Sequence, residues 1–476
     1  MTMRKAMIVF LTAIILVSVC FASLHLVFLG VADDITVTRQ TLYGDPAAAD
    51  GVNILVRNQY AQNLLWETAL TLGSNSVPET EFMFSNEPIR IPSEIEQTGI
   101  EFNILSDPFV FVHADRLPES TAEKYAALVD VLTAAIDSVP SGGYKTVSID
   151  FAEYLDYYPL DGQVILDDLR TVFSEFKHWT DDSEEISLAI NEFFRIPVES
   201  EFTVEYTIDR TNSGSAYGAQ MKTDYYPHAS GVATGDACYF TFNALREDGT
   251  VVDTSLVPGG YGIYRLPYDE TGLKLDAMEM VYGLDPSESY DGMELSSDGK
   301  RIRLRTWQGD DLMLTVIDLA TMTRVQKVKL LTDSEEWYHS VIDYDDFTLI
   351  VENRRNSDSM DQITVWEELP DGTFANAFTA NMNIAVFPEG DNLNLFDSYS
   401  NAVDYQNGKL VVMKNRLIRQ EPYWYKDYCD IYVVVYDATG MTYAGTCEWN
   451  LTKVNSLYPN TDRVRQSTFG ALEVSW

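Results

Sequence analysis

The stretch GMELSSDGKRIRLRTWQGDDLMLTVIDLATMTRVQKVKLL, from Gly292 to Leu331, reads as four strands in a row. Met293–Ser296, Arg301–Trp307, Leu312–Leu319 and Arg324–Leu331 are short apolar segments separated by Asp-Gly, Gly-Asp and Ala-Thr turn residues. Connections this short join antiparallel neighbours, so the stretch predicts a four-stranded meander. The surrounding chain has 476 residues, 46% hydrophobic and 22% charged, which is enough apolar material for a sizeable core. Its 73 acidic residues against 33 basic ones leave a net charge of -40. Such a surface repels phosphate backbones, so nucleic acid is excluded as a partner and cations or basic proteins are favoured.

The end of the third strand recurs along the C-terminal half. YRLPYDETGL (Tyr264–Leu273), IDLATMT (Ile317–Thr323), WEELPDGTF (Trp366–Phe374) and VYDATGMT (Val435–Thr442) each close an apolar strand in a turn and open another. With Thr271, Thr321, Asp371 and Thr439 as equivalent positions the spacings are 50, 50 and 68 residues. Periods of roughly 40–50 residues with four strands per unit mark propeller blades. The Ser-x-Asp-Gly-Lys turn at Ser296–Lys300 and the Asp-Leu-x-Thr turn at Asp318–Thr321 resemble the divergent repeats of WD-repeat-like and YVTN-type β-propellers. The resemblance covers about residues 201–476 and implies architecture alone, since the Trp-Asp dipeptide of true WD repeats and the Ser-x-Asp box of sialidases are absent.

The expected fold is mainly β: a propeller of about seven four-stranded blades, with strands Ile35–Leu42, Val52–Arg57 and Leu64–Leu72 joining Thr468–Trp476 to complete the ring. A helical insertion is expected over about 118–198. Pro118–Val139 is periodic at three and four through Tyr125, Leu128, Val129, Leu132 and Ile136, with Ser120 and Thr121 as caps; Asp167–Trp179 and Ser183–Phe194 are further helices. The competing architecture is a mixed α+β unit to Val198 followed by a smaller β domain.

Ahead of all this, Arg4 and Lys5 precede an apolar run from Ala6 to Ala32, and Asp33 and Asp34 follow it. The run exceeds the roughly 20 residues that span a bilayer and the roughly 7–15 of a secretory leader core. The reading is therefore a cytoplasmic tip at 1–5, a transmembrane signal-anchor at 6–32 and an extracytoplasmic propeller at 33–476, in a single-pass protein of the cell membrane. The alternative is secretion after cleavage following Ala32, where Gly30-Val31-Ala32 supplies small residues. Lipidation of Cys20 is disfavoured by Val19 and the apolar run after it.

Cys429 and Cys447 lie on alternating segments joined by Asp437-Ala438-Thr439-Gly440. A hairpin centred on Ala438 places them opposite each other, which admits a cross-strand disulfide; a slip of register leaves two buried thiols. The loop-rich face carries Trp337, Tyr338 and His339 in a fourth-to-first connection, and Tyr423, Trp424 and Tyr425 in a second-to-third connection. Rings beside carboxylates suit an envelope glycan, a peptide, a protein or a cationic group, although aromatic side chains more often pack down for area. Asp343 to Asp346, Asp358 with Asp361, and Glu389 with Asp391 offer oxygens to calcium but lack the EF-hand pattern, so solvated charge is the default. No cofactor motif is present: Gly-x-Ser-x-Gly, His-Glu-x-x-His and Gly-x-x-x-x-Gly-Lys are all missing. Two functions remain, a non-catalytic binding or sensing module and an extracytoplasmic carbohydrate-active hydrolase using Asp and Glu as acid and base.

Overall fold

The computed structural model describes residues 3–60, 64–73, 77–84, 98–105, 114–166, 183–199, 202–211, 216–222, 225–227, 229–334, 337–354, 360–387, 395–396, 401–416, 428–451 and 470–476. The chain divides into two compact units, one of Met1–Ile95, Glu335–Glu367 and Ala375–Trp476, the other of Glu96–Ser334 and Glu368–Phe374.

The first unit opens with α1 (Met3–Ala32), β1 (Thr36–Gly44), β2 (Asn53–Tyr60), β3 (Leu64–Thr71) and β4 (Glu79–Phe84). The second holds β5 (Thr98–Ile104), α2 (Glu119–Asp137), β6 (Tyr144–Asp150), β7 (Leu160–Leu166), α3 (Ser183–Phe193), β8 (Thr203–Arg210), β9 (Ala216–Lys222) and β10 (Ala229–Ala233). It continues through β11 (Ala237–Phe242), β12 (Gly262–Asp269), β13 (Gly272–Leu273), β14 (Glu279–Gly283), β15 (Ser289–Leu295), β16 (Arg301–Gln308), β17 (Asp311–Asp318) and β18 (Thr323–Thr332). The chain then returns to the first unit with β19 (Trp337–Asp343), β20 (Phe347–Arg354), β21 (Met360–Glu368), β22 (Phe374–Asn381), β23 (Asn401–Gln406), β24 (Lys409–Asn415), β25 (Tyr428–Asp437), β26 (Gly440–Asn450) and β27 (Ala471–Ser475).

Three blade-like meanders make up the first unit: β27-β2-β3-β4, β19-β20-β21-β22 and β23-β24-β25-β26, the last with β1 beyond β26. The expected pairing of the last strand with the N-terminal ones holds for β2, Ile54 standing opposite Val474 and Val56 opposite Leu472, but β1, expected in the same blade, pairs with β26 instead, Val37 standing opposite Trp449. Strands β24 and β25 are apolar on both faces because both are covered. Val411, Met413, Ile431, Val433 and Val435 pack with Val52, Ile54, Val56 and Trp66, while Leu410, Val412, Tyr432, Val434 and Tyr436 pack with Leu349, Val351, Ile363 and Val365.

In the second unit, β15-β16-β17-β18 is the meander read from the sequence, with the expected strand boundaries met to within four residues. One face, through Met293, Ile302, Leu304 and Ile317, packs on Val232, Tyr239 and Ile263 of the neighbouring sheet. That sheet runs β7-β5-β10-β11-β12, with β13 and β14 both pairing with β12. Its other face carries Phe240, Phe242 and Tyr264 against Phe194, whose ring meets Tyr264 edge-on at 4.7 Å. A three-stranded sheet, β6-β8-β9, completes the unit.

The four recurrent turns share one mechanism. Asp269 accepts from the backbone N–H and hydroxyl of Thr271 at 2.8 and 2.6 Å, Asp371 from those of Thr373 at 3.0 and 2.6 Å, and Asp437 from those of Thr439 at 2.7 and 2.6 Å. Asp318 does the same one residue further on, with Thr321 at 2.9 and 2.8 Å. This is an Asx turn closed by a threonine hydroxyl, and it is why Asp and Thr punctuate the third-to-fourth hairpins.

Several expectations need correction. The described residues hold six sheets, four of them containing a four-stranded meander of the expected kind. The interval 118–198 is not purely helical: β6 pairs with β8, and β7 pairs with β5, so strands from inside it belong to sheets built from outside it. For the same reason the chain does not divide near Val198, since β5 also joins β10. Helix α2 starts after Pro118, so Ser120 and Thr121 lie in its first turn rather than capping it. The helix expected at Asp167–Trp179 lies outside the described residues. Helix α3 matches its expected span and covers the outer edge of β7. Asn191 receives the Leu160 N–H at 2.8 Å and donates to the Leu160 carbonyl at 2.6 Å, and Ser187 receives the Gly162 N–H at 3.0 Å.

Candidate functional site

Trp337 and Tyr338 open strand β19 rather than lying in a loop. Trp337 stands opposite Arg354, Tyr338 opposite Asn353 and His339 opposite Glu352. They occupy the expected end of the sheet, since the second-to-third connection leaves β20 immediately after Arg354. Tyr338 is 55% exposed. Strand β19 is also the edge of its sheet order. Alternation along the strand puts Tyr338 with Asn353 on one face and His339 with Glu352 on the other. Partial burial raises the pKa of the Glu352 carboxyl above the ordinary carboxylate range, and His339 pulls it back down. An exposed phenol beside an amide can stack on a sugar or a cationic group and hydrogen-bond its edge. Tyr423, Trp424 and Tyr425 lie outside the described residues.

The acidic turn at Asp343–Asp346 closes the opposite end of the β19–β20 hairpin. Six residues of strand separate Tyr344 from Tyr338, about 20 Å at strand rise, so the ring and these carboxylates do not form one site. Within the turn, Asp343 accepts from the Thr348 hydroxyl at 2.6 Å, and Tyr344 stacks on Phe347 at 4.4 Å. Among the described residues no three His, Cys, Asp or Glu side chains gather as a metal site. Asp358, Glu389 and Asp391 lie outside them.

The hairpin β25–β26 corrects the disulfide expectation. Asp437 pairs with Gly440, but a bulge between Val435 and Tyr436 shifts the register, so Cys429 faces Trp449 and Cys447 faces Ile431. Cys447 is a free, buried thiol. Burial pushes its pKa, and that of Cys238, up to about 12, which makes both unreactive at neutral pH.

One charged row in the second unit went unnoticed in the sequence, although RIRLRTWQ announces it. Arg301, Arg303 and Arg305 alternate on one face of β16, opposite Ile302 and Leu304. Asp291 receives Arg305 Nε at 2.8 Å and Trp307 Nε1 at 3.0 Å. Arg301 donates to the Asp371 carbonyl at 3.0 Å and lies 3.8 Å from Glu368, while Arg303 sits 5.8 Å from the centre of the Phe374 ring. Gln326 completes the contact, receiving the Phe374 N–H at 2.7 Å and donating to its carbonyl at 2.9 Å. Gly372 is glycine by necessity, with φ of 78° and Arg301 lying where a Cβ would project. The arginine row is thus a clamp on 368–374, with Arg301 and Arg305 donating to groups inside the protein and Arg303 beside the Phe374 ring.

No family model matches the chain, and no curated protein matches it. Among solved structures, the chain is similar to the WD40 domain of SCAP from fission yeast, at 7% identity and a TM-score of 0.26 over 82% of this chain and 72% of that one. It is also similar to the β-propeller domain of Cps50 (Swd1) from Myceliophteria thermophila, at 7% identity and a TM-score of 0.22 over 51% of this chain and 81% of that one. An uncharacterized protein from Listeria monocytogenes matches at 10% identity and a TM-score of 0.24 over 44% of this chain. The match spans half the length of the Listeria protein, 50%. The blade description rests on the meanders and their stacking, not on these likenesses.

Proposed function

We propose that this chain is a membrane-anchored, extracytoplasmic β-propeller module of about seven blades that binds a protein, a peptide or an envelope glycan without transforming it. The observation that supports this reading is the Tyr338 ring, exposed on an edge strand at the end of the sheet from which the long connections leave. Trp337 and the Tyr423-Trp424-Tyr425 segment belong to the same proposed surface. Helix α1 supports the anchor: its segment Phe10–Ala32 is long and apolar enough to cross a membrane.

The test is binding of the full chain to glycan and peptide arrays, with Tyr338→Ala and Trp424→Ala as variants. Both variants should fold and lose binding; retention by both overturns the assignment of the surface. The hydrolase reading has one observation in its favour, the raised pKa of Glu352 beside His339. Turnover of a polysaccharide by the full chain, abolished in Glu352→Gln, would replace the binding reading with that one.

A further inference from the structure

The apolar run before Asp33 is longer than a bilayer needs. About 20 helical residues cross the hydrocarbon core, so a run from Ala6 to Ala32 leaves about seven over, or roughly two turns, at Leu26–Ala32. Those are the turns that touch the first unit. Phe28 stacks on Phe82 of β4 at 5.4 Å with the rings 22° apart. Val31 is buried in the same apolar core as Ile35, Val52, Ile54 and Trp66. The backbone is helical through Ala32, and the Val31 and Ala32 carbonyls then accept from Asp34 at 3.1 Å and Ile35 at 3.2 Å. Met83, next to Phe82 on the outermost strand of its sheet, remains exposed.

We infer that the last two turns of α1 are a structural part of the first unit, which keeps the helix from being removed after Ala32 and fixes the β4 side of the unit toward the lipid surface. The inference rests on the membrane-anchored reading above. A leader peptidase needs its substrate extended and accessible, whereas here the Gly30-Val31-Ala32 segment is helical and one of its side chains is core. Retention follows from packing, and so does orientation: a helix joined to a sheet by a ring stack and a buried valine does not let the unit swivel freely above the bilayer.

The experiment uses the full chain in membranes. Mass spectrometry of the purified protein should find the residues before Asp33 still attached, and a photo-crosslinking amino acid at position 28 should mark the peptide containing Phe82. Phe82→Ala should lose that crosslink while the chain stays in the membrane. A mature chain beginning at Asp33 and washing off membranes overturns both the inference and the anchor. A retained helix whose position 28 crosslinks to lipid alone overturns the seat and leaves the anchor standing.

Discussion

Strands β24 and β16 hold the same place, second in a four-stranded meander, yet cover their faces in different ways. In β24, Leu410, Val411, Val412 and Met413 are all fully buried, because a sheet packs on each side. In β16, Ile302 and Leu304 are fully buried in a core while Arg301, Arg303 and Arg305 occupy the other face. The first solution is non-directional: apolar area removed from water stabilises whichever side chains fill it, at about 25 cal/mol per Å². The second is directional, since a guanidinium needs a partner when water leaves: Asp291 serves Arg305, Glu368 and the Asp371 carbonyl serve Arg301, and the Phe374 ring lies beside Arg303. Blade topology therefore does not dictate face chemistry.

The largest expected effect breaks the apolar side of this contrast. Val412→Asp places a charge between two sheets and should cost about 4 kcal/mol or more, leaving the chain unfolded or proteolysed. Denaturant titration showing less than about 1 kcal/mol of loss would mean that β24 is not covered on both faces. Arg303→Ala should cost about 3 kcal/mol, because Arg303 is only 5% exposed and its charge, with that of Arg301, offsets the desolvation of the Glu368 carboxyl. Glu368→Gln should cost less, since burial already raises the pKa of that carboxyl against the pull of Arg303 and Arg301. A double-mutant cycle should show coupling between the two positions, and strict additivity would remove the clamp from the account.

A smaller effect separates the turns from both faces. The Thr271 hydroxyl, helped by Lys274, holds the Asp269 carboxyl down at about 2, and the Ser296 hydroxyl does the same for Asp298. A folded pKa below the unfolded value near 3.9 gives stability that is present above about pH 4 and lost as pH falls toward 2. Carbon-detected NMR titration should place Asp269 near that value in the native protein and move it upward in Thr271→Val. The smallest effect concerns thiols: Cys238 and Cys447 should react with a thiol reagent only on unfolding, and fast labelling of either in the native state would contradict its burial.

Where a feature depended on neighbours in the chain, it was legible in advance. The strands of the Gly292–Leu331 stretch, the Asp-and-Thr turns and helices α2 and α3 follow from periodicity and turn chemistry acting over a few residues. Two misplacements concern where strands start and pair. The two-residue turn at Ala438-Thr439 and the bulge at Val435 and Tyr436 together moved Cys429 two residues off Cys447, and the strand began at Trp337 rather than beyond His339. The arginine row was visible as alternation, but nothing local says whether such a row faces a ligand or another piece of chain. Gln326 and Phe374, 48 residues apart, supply that answer.

The sequence by itself determined the apolar N-terminal helix, the acidic surface, the β content and the blade period, because each is a matter of composition or of spacing within one hairpin. Only the tertiary structure decided that β5 and β7 join the sheet of β10, that Arg303 lies buried beside Phe374, and that Val31 belongs to a core. These depend on which distant segments meet, and the energy of such a meeting belongs to the pair of surfaces rather than to either segment.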